Sequence, residues 1–119
     1  MRNLILSGGI FHPFAETSAA VALQLEEVGI TSEICSVGEG LARLSTQNFD
    51  LVTVNALAFT MMQADKYAPL RDEYAFEISL DGQAELERHV AQGRGLLGLH
   101  TAPICFDTWP AWGDLLGVG

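Results

Sequence analysis

Short apolar runs alternate with amphipathic segments along this chain. Residues 3–7 form an apolar run closed by Gly8 and Gly9, which predicts a buried strand. A loop over residues 8–14 follows. Residues 16–28 carry Val21, Leu25 and Val28 at i, i+4 and i+7, with Glu26 and Glu27 elsewhere on the surface. That spacing predicts an amphipathic helix stopped by Gly29. Residues 31–36 read as a strand centred on Ile34 and Cys35, and residues 39–46 as a short helix with Leu41 and Leu44 inward. Residues 50–56, Asp-Leu-Val-Thr-Val-Asn-Ala, form the clearest strand, rich in β-branched side chains.

Residues 57–78 mix Met61, Met62, Tyr67, Pro69, Tyr74 and Phe76 with charges. The stretch is too long for an ordinary connector, so it reads either as an irregular functional loop or as a short helix plus loop. Ser79 or Asp81 can cap the next helix, which runs to Gln92 with Leu86 and Val90 inward. Gly93 and Gly95 end it. Residues 95–101 predict a fourth strand, apolar on both faces. Residues 108–116 predict a short helix with Pro110 tolerated in its first turn.

Strands separated by helices imply βαβ units with right-handed crossovers. The expected product is an α/β fold: a doubly wound parallel sheet with strand order 2-1-3-4. No internal repeat, low-complexity segment or linker divides the chain. The length of 119 residues fits one domain with a small core.

Composition narrows the function classes. The hydrophobic share of 49% excludes disorder. Fifteen acidic residues against six basic ones give a net charge of −9, which repels phosphate backbones and disfavours nucleic acid. No run reaches the about 18 apolar residues of a membrane span. The N-terminus has one positive charge and a short apolar run, and reads as a first strand, not a signal peptide. Cys35 and Cys105 are too few for a disulfide framework, so a reducing cytoplasm is the default location.

In open parallel sheets, ligands bind at the carboxyl ends of the strands, near the point where strand order reverses. Here that rule selects Ser7, Gly8, Gly9 and His12 from the first loop, Asn55 from the third strand, and His100 and Thr101 from the fourth. The glycine turn is either an anion-binding nest or a tight turn that needs left-handed backbone. It is not G-x-G-x-x-G, and the chain has no nucleotide-cofactor motif. His12 and His100 suit general acid–base work or metal ligation, the alternative being bonds to loop backbone. A divalent metal needs more than two imidazoles, and Asp107 is a candidate third ligand. His89, on the third long helix, reads as a solvated or partly packed surface residue.

The segment after His100 holds Cys105, Asp107, Trp109, Trp112 and Asp114. Cys105 has no basic neighbour in sequence and reads as a small buried thiol more readily than as a nucleophile. Aromatic rings beside carboxylates suit sugar binding, which makes Asp107 and Trp109 candidate substrate contacts. The competing reading has Asp107 or Thr108 capping the helix while the Trp rings cover the sheet. Arg71, in the loop with the single lysine Lys66, either steers an anionic group or belongs to a solvated lid.

At these residues the chain resembles the ThuA-like family of trehalose-utilisation proteins. The resemblance is carried by Ile5-Leu6-Ser7-Gly8-Gly9 with His12, by residues 50–55, by residues 93–101 with Gly-Leu-His-Thr-Ala, and by Trp109, Trp112 and Leu115-Leu116-Gly117. It implies a flavodoxin-like three-layer sandwich of the glutamine amidotransferase type and a role in carbohydrate metabolism. The substrate would be a disaccharide or keto-sugar, and the chemistry of hydrolase or lyase type. Amidotransferases of this fold carry a nucleophilic Cys at the elbow after the fourth strand. Here the elbow reads Leu99-His100-Thr101, so glutaminase activity is not implied.

Members of that family extend further, so the resemblance makes residues 1–119 a single, incomplete domain, truncated at its C-terminus. The fourth strand would then be an apolar edge, which favours self-association or poor stability. Two other outcomes stay open: a non-catalytic sugar-binding or interaction module, and an inactive fragment.

Overall fold

A computed structural model describes residues 1–118. The four strands are β1 (Arg2–Gly8), β2 (Thr31–Ser36), β3 (Leu51–Ala56) and β4 (Gly95–Gly98). They pair in parallel in the order β2-β1-β3-β4, as the alternating pattern predicts. The helices are α1 (Phe14–Glu26), α2 (Val37–Leu44), α3 (Arg71–Tyr74), α4 (Leu80–Ala91) and α5 (Ala111–Leu116). Short 3-10 helices occupy Asp65–Leu70 and Ala102–Ile104. Among the described residues, no helix is long and apolar enough to cross a membrane.

Strand alternation sends neighbouring side chains to opposite faces of the sheet. Leu4, Leu6, Val52 and Val54 point to the face covered by α2, α4 and α5, where they join Leu41, Leu44, Leu86, Phe106 and Trp112 in the main core. The opposite face, under α1, is more polar. There Asn3 donates to Ser32 Oγ at 3.0 Å and accepts from Thr53 Oγ1 at 2.9 Å, which links three strands through side chains. A parallel sheet covered on both faces is ordinarily apolar throughout. This face tolerates polar side chains because their hydrogen bonds are made: among the described residues no buried side-chain N or O lacks a partner. A smaller core of Ile10, Phe14, Leu57, Phe59 and Met61 lies among the loops.

Several boundaries differ from the sequence expectation. α1 starts earlier and ends at Glu26, before the left-handed Gly29 at φ 84°. Its inward residues are Phe14 and Ser18, with Val21 and Leu25 half-buried, whereas Val28 is 72% exposed beyond the helix end. α2 begins at Val37 because the Ser36 hydroxyl accepts the Glu39 N–H at 3.3 Å. Ser79 caps α4 in the same way, accepting from Gly82 at 3.0 Å. The segment over 57–78 is the short-helix-plus-loop alternative, built from one 3-10 helix and α3. β4 stops at Gly98, so His100 and Thr101 lie in the turn after it. The last helix starts at Ala111 with Pro110 as its cap, three residues later than the pattern suggests.

Candidate functional site

His12 and His100 come together. Their rings meet edge to face with centroids 4.7 Å apart and planes at 88°, and both side chains are exposed. Each arrives by a short, constrained path. On the first strand's side, the Gly8–Gly9 turn runs at φ 127° and 136°, values that only glycine adopts without strain. Gly9 also passes so close to β3 that a Cβ there would lie 2.8 Å from the Leu57 carbonyl oxygen. The turn therefore has a sufficient backbone reason for both glycines. On the other side, the Ala102 N–H donates to the Leu99 carbonyl at 3.0 Å and closes a turn that holds His100 at φ 50°.

α1 begins two residues after His12, and Asn55 fastens that helix to β3. The Asn55 amide donates to Thr17 Oγ1 at 2.8 Å and to Ser18 Oγ at 2.9 Å. Ser18 in turn shares a 2.6 Å hydrogen bond with Ser7 on β1. Asn55 is thus a buried anchor for the helix behind His12, not a group offered to a ligand.

The remaining candidates separate from the histidine pair. The Thr101 hydroxyl is buried and donates to the Ala56 carbonyl at 2.6 Å, which ties the turn to β3. Trp109 is 6% exposed and stacks on Trp112 at 5.7 Å. Its ring faces the core, so it lacks the open face a sugar platform needs. Trp112 bonds through Nε1 to the Ala102 carbonyl at 2.9 Å. Asp107 caps no helix. Its carboxylate accepts the Thr60 N–H at 2.9 Å, the Thr60 hydroxyl at 2.6 Å and the Gln63 amide. Burial pushes the Asp107 carboxyl up, but those bonds outweigh it and leave its pKa below the ordinary carboxylate value. Asp107 therefore clamps the loop after β3.

Arg71 has a similar role, donating to the carbonyls of Met61 at 2.7 Å and Ala64 at 3.1 Å. Those bonds hold that loop from within. Gly8 and Gly9 line a cavity of about 170 Å³ with Glu73, Tyr74 and Phe76. A larger groove of about 630 Å³ runs between α2 and α4. Neither is lined by His12 or His100.

Cys105 is buried, accepting the Ala58 N–H at 3.3 Å and donating to the Ala56 carbonyl at 3.2 Å. Burial pushes its pKa up to about 11, against the opposing pull of the Ala58 bond. Such a thiol is inert, as its sequence neighbours suggest. Cys35 is likewise buried, and its pKa is raised by desolvation. His89 corrects its surface reading: it is 1% exposed, and its Nε2 pairs with the Gly95 carbonyl at 2.7 Å. Among the described residues no group of three His, Cys, Asp or Glu side chains gathers, so Asp107 does not join the two imidazoles as the expected third metal ligand.

The structure also shows an aromatic residue that the sequence reading passed over. Phe11 lies beside His12, is 66% exposed, and has its ring 6.2 Å from that of Tyr67. A bulky residue next to a glycine turn was the available signal. Comparison of the chain with models of protein families, with curated proteins and with solved structures finds no match.

Proposed function

We propose that this chain is a ThuA-like α/β domain that acts on a neutral carbohydrate through general acid–base chemistry at His12 and His100. The 4.7 Å contact between the two rings carries the reading. A neutral imidazole offers one nitrogen as acceptor and one as donor, whereas a protonated one donates from both. Two adjacent rings therefore supply a base and an acid to one small molecule. In hydrolysis one takes a proton from the water that attacks the anomeric carbon, while the other protonates the glycosidic oxygen as its bond to that carbon breaks. In elimination one takes the proton on the carbon beside a keto group, the C–H electron pair becomes the C=C bond, and the other protonates the oxygen that departs from the next carbon. This is chemistry of hydrolase or lyase type.

Three further features support it. Both histidines sit past the carboxyl ends of parallel strands, where open sheets hold their ligands. The net charge of −9 favours a neutral substrate over an anionic one. The Gly-Leu-His-Thr-Ala segment resembles the ThuA-like family, and the elbow position of amidotransferases carries His100, with no thiol to serve as nucleophile. The two buried thiols suit a reducing cytoplasm.

The experiment is turnover of a panel of disaccharides and keto-sugars by the wild type, His12→Ala and His100→Ala, with thermal melts as a folding control. Loss of turnover in both variants at unchanged melting supports the pair. Equal turnover removes it from the mechanism. The exposure of both rings outside the described cavities favours one second reading, a sugar-binding module without catalysis. Saturable binding with no product would establish that reading in place of the first.

A further inference from the structure

Four non-glycine residues have a left-handed backbone: Phe11 at φ 71°, Met61 at 63°, His100 at 50° and Phe106 at 57°. Such residues are strained and persist where the surroundings compensate. For Met61 and Phe106 the compensation is visible, since both side chains are buried in the two cores. Phe11 and His100 have none of that kind, because their side chains face solvent. These two strained, exposed residues also belong to one place. Phe11 adjoins His12 in the chain, and the His12 ring touches His100.

The Phe11 ring is exposed yet not free. Tyr67 lies tilted against it at 42°, and Tyr67 is itself held edge-on by Phe59 at 5.2 Å. Lys66 sits over Tyr67 with its ammonium 5.1 Å from the ring centre. Phe59 belongs to the smaller core. A chain of rings therefore runs from the protein interior to an exposed ring one residue before His12 in the chain. An aromatic face has a negative quadrupole and an apolar surface. It complements the partly positive C–H hydrogens of a pyranose ring, whose hydroxyls point outward around the edge.

We propose that Phe11 is the stacking platform for a pyranose ring whose hydroxyls His12 and His100 address. The proposal rests on the carbohydrate reading above and gives it a substrate class: pyranosides with an apolar C–H face, in preference to open-chain polyols. Phe11 takes the role for which Trp109 is too buried. It binds the substrate and takes no part in proton transfer.

The test compares the wild type, Phe11→Gly and Phe11→Tyr by titration calorimetry, with cellobiose and trehalose as pyranosides and sorbitol as the open-chain control. Glycine accepts φ 71° without strain, so Phe11→Gly removes the ring without imposing an unfavourable backbone. It is expected to weaken binding of the bound pyranoside about tenfold, the effect of one aromatic contact. Phe11→Tyr should restore it, and sorbitol should bind no better to the wild type than to Phe11→Gly. If the wild type binds a pyranoside and Phe11→Gly binds it equally, the platform is wrong and the histidine reading stands. If the wild type binds no pyranoside, both fail.

Discussion

The Asn55 side chain on β3 donates a 2.9 Å hydrogen bond to Ser18 on α1, the helix that follows the loop carrying His12. This bond and its 2.8 Å companion to Thr17 make a helix and a strand end one unit. Replacing Asn55 by Leu leaves the Ser18 and Thr17 hydroxyls facing an apolar side chain. Ser18 keeps its bond to Ser7, and the exposed Thr17 keeps its bonds to the Pro13 and Phe14 carbonyls, so the expected cost is that of the two lost hydrogen bonds, about 1–3 kcal/mol. Urea unfolding measures it directly. An unchanged midpoint would show that α1 is held by other contacts.

A second buried polar contact makes stability depend on pH. Burial lowers the His89 pKa from 6.5, opposed by its bond to the Gly95 carbonyl and assisted by Arg94 and Arg88. The folded state thus favours the neutral ring. Its contribution to stability is complete above pH 6.5 and is lost as pH falls from there through the lower folded value. His89→Gln retains a donor for Gly95 but does not titrate. Its unfolding midpoint should therefore fall less than that of the wild type as pH drops below 6.5. Parallel pH profiles would contradict this account of His89.

Cys105 is expected to resist thiol reagents in the folded protein. A thiol with a pKa of about 11 is almost wholly protonated at pH 8, and its Sγ is enclosed by the Ala56 and Ala58 backbone. Labelling with a chromogenic disulfide should be slow without denaturant and reach both cysteines in its presence. Rapid native labelling of Cys105 would return it to the list of reactive groups.

The outer strand makes a prediction about association. Among the described residues β4 pairs with β3 alone, and Leu97 on it is 38% exposed. An apolar strand edge recruits further strands. Self-association that rises with concentration is expected in sedimentation velocity, and Leu97→Lys should reduce it. Concentration-independent monomers would refute the edge as an assembly surface.

Much of this architecture was legible in the sequence because strands and glycines speak locally. The β-branched run around Val52 and Val54, and the apolar runs around Leu4 and Leu97, set the strands and their order without knowledge of contacts. The helix faces were less legible. α1 buries Phe14 and Ser18, and a serine on an inward face carries no hydrophobic signal. Its partners, Ser7 and Asn55, lie on other elements, so the polar layer under α1 exists only in the folded state.

Side-chain roles were the least legible. His89 and Trp109 are amphipathic residues whose sequence neighbours do not decide between core and surface. The Gly95 carbonyl decides for the first and Trp112 for the second. Strand order alone brought His12 and His100 to one edge of the sheet. Their ring contact required the turns at Gly9 and Leu99.

The central claim is that His12 and His100 together form the carbohydrate site. The chain has three histidines, and the buried His89 is a control within the same molecule. The most direct measurement is the set of imidazole nitrogen and carbon-bound proton resonances during titration with a disaccharide panel. The account predicts that the His12 and His100 signals shift together at one ligand concentration while those of His89 stay fixed. Unmoved His12 and His100 signals, at saccharide concentrations that saturate any other change in the spectrum, would contradict it.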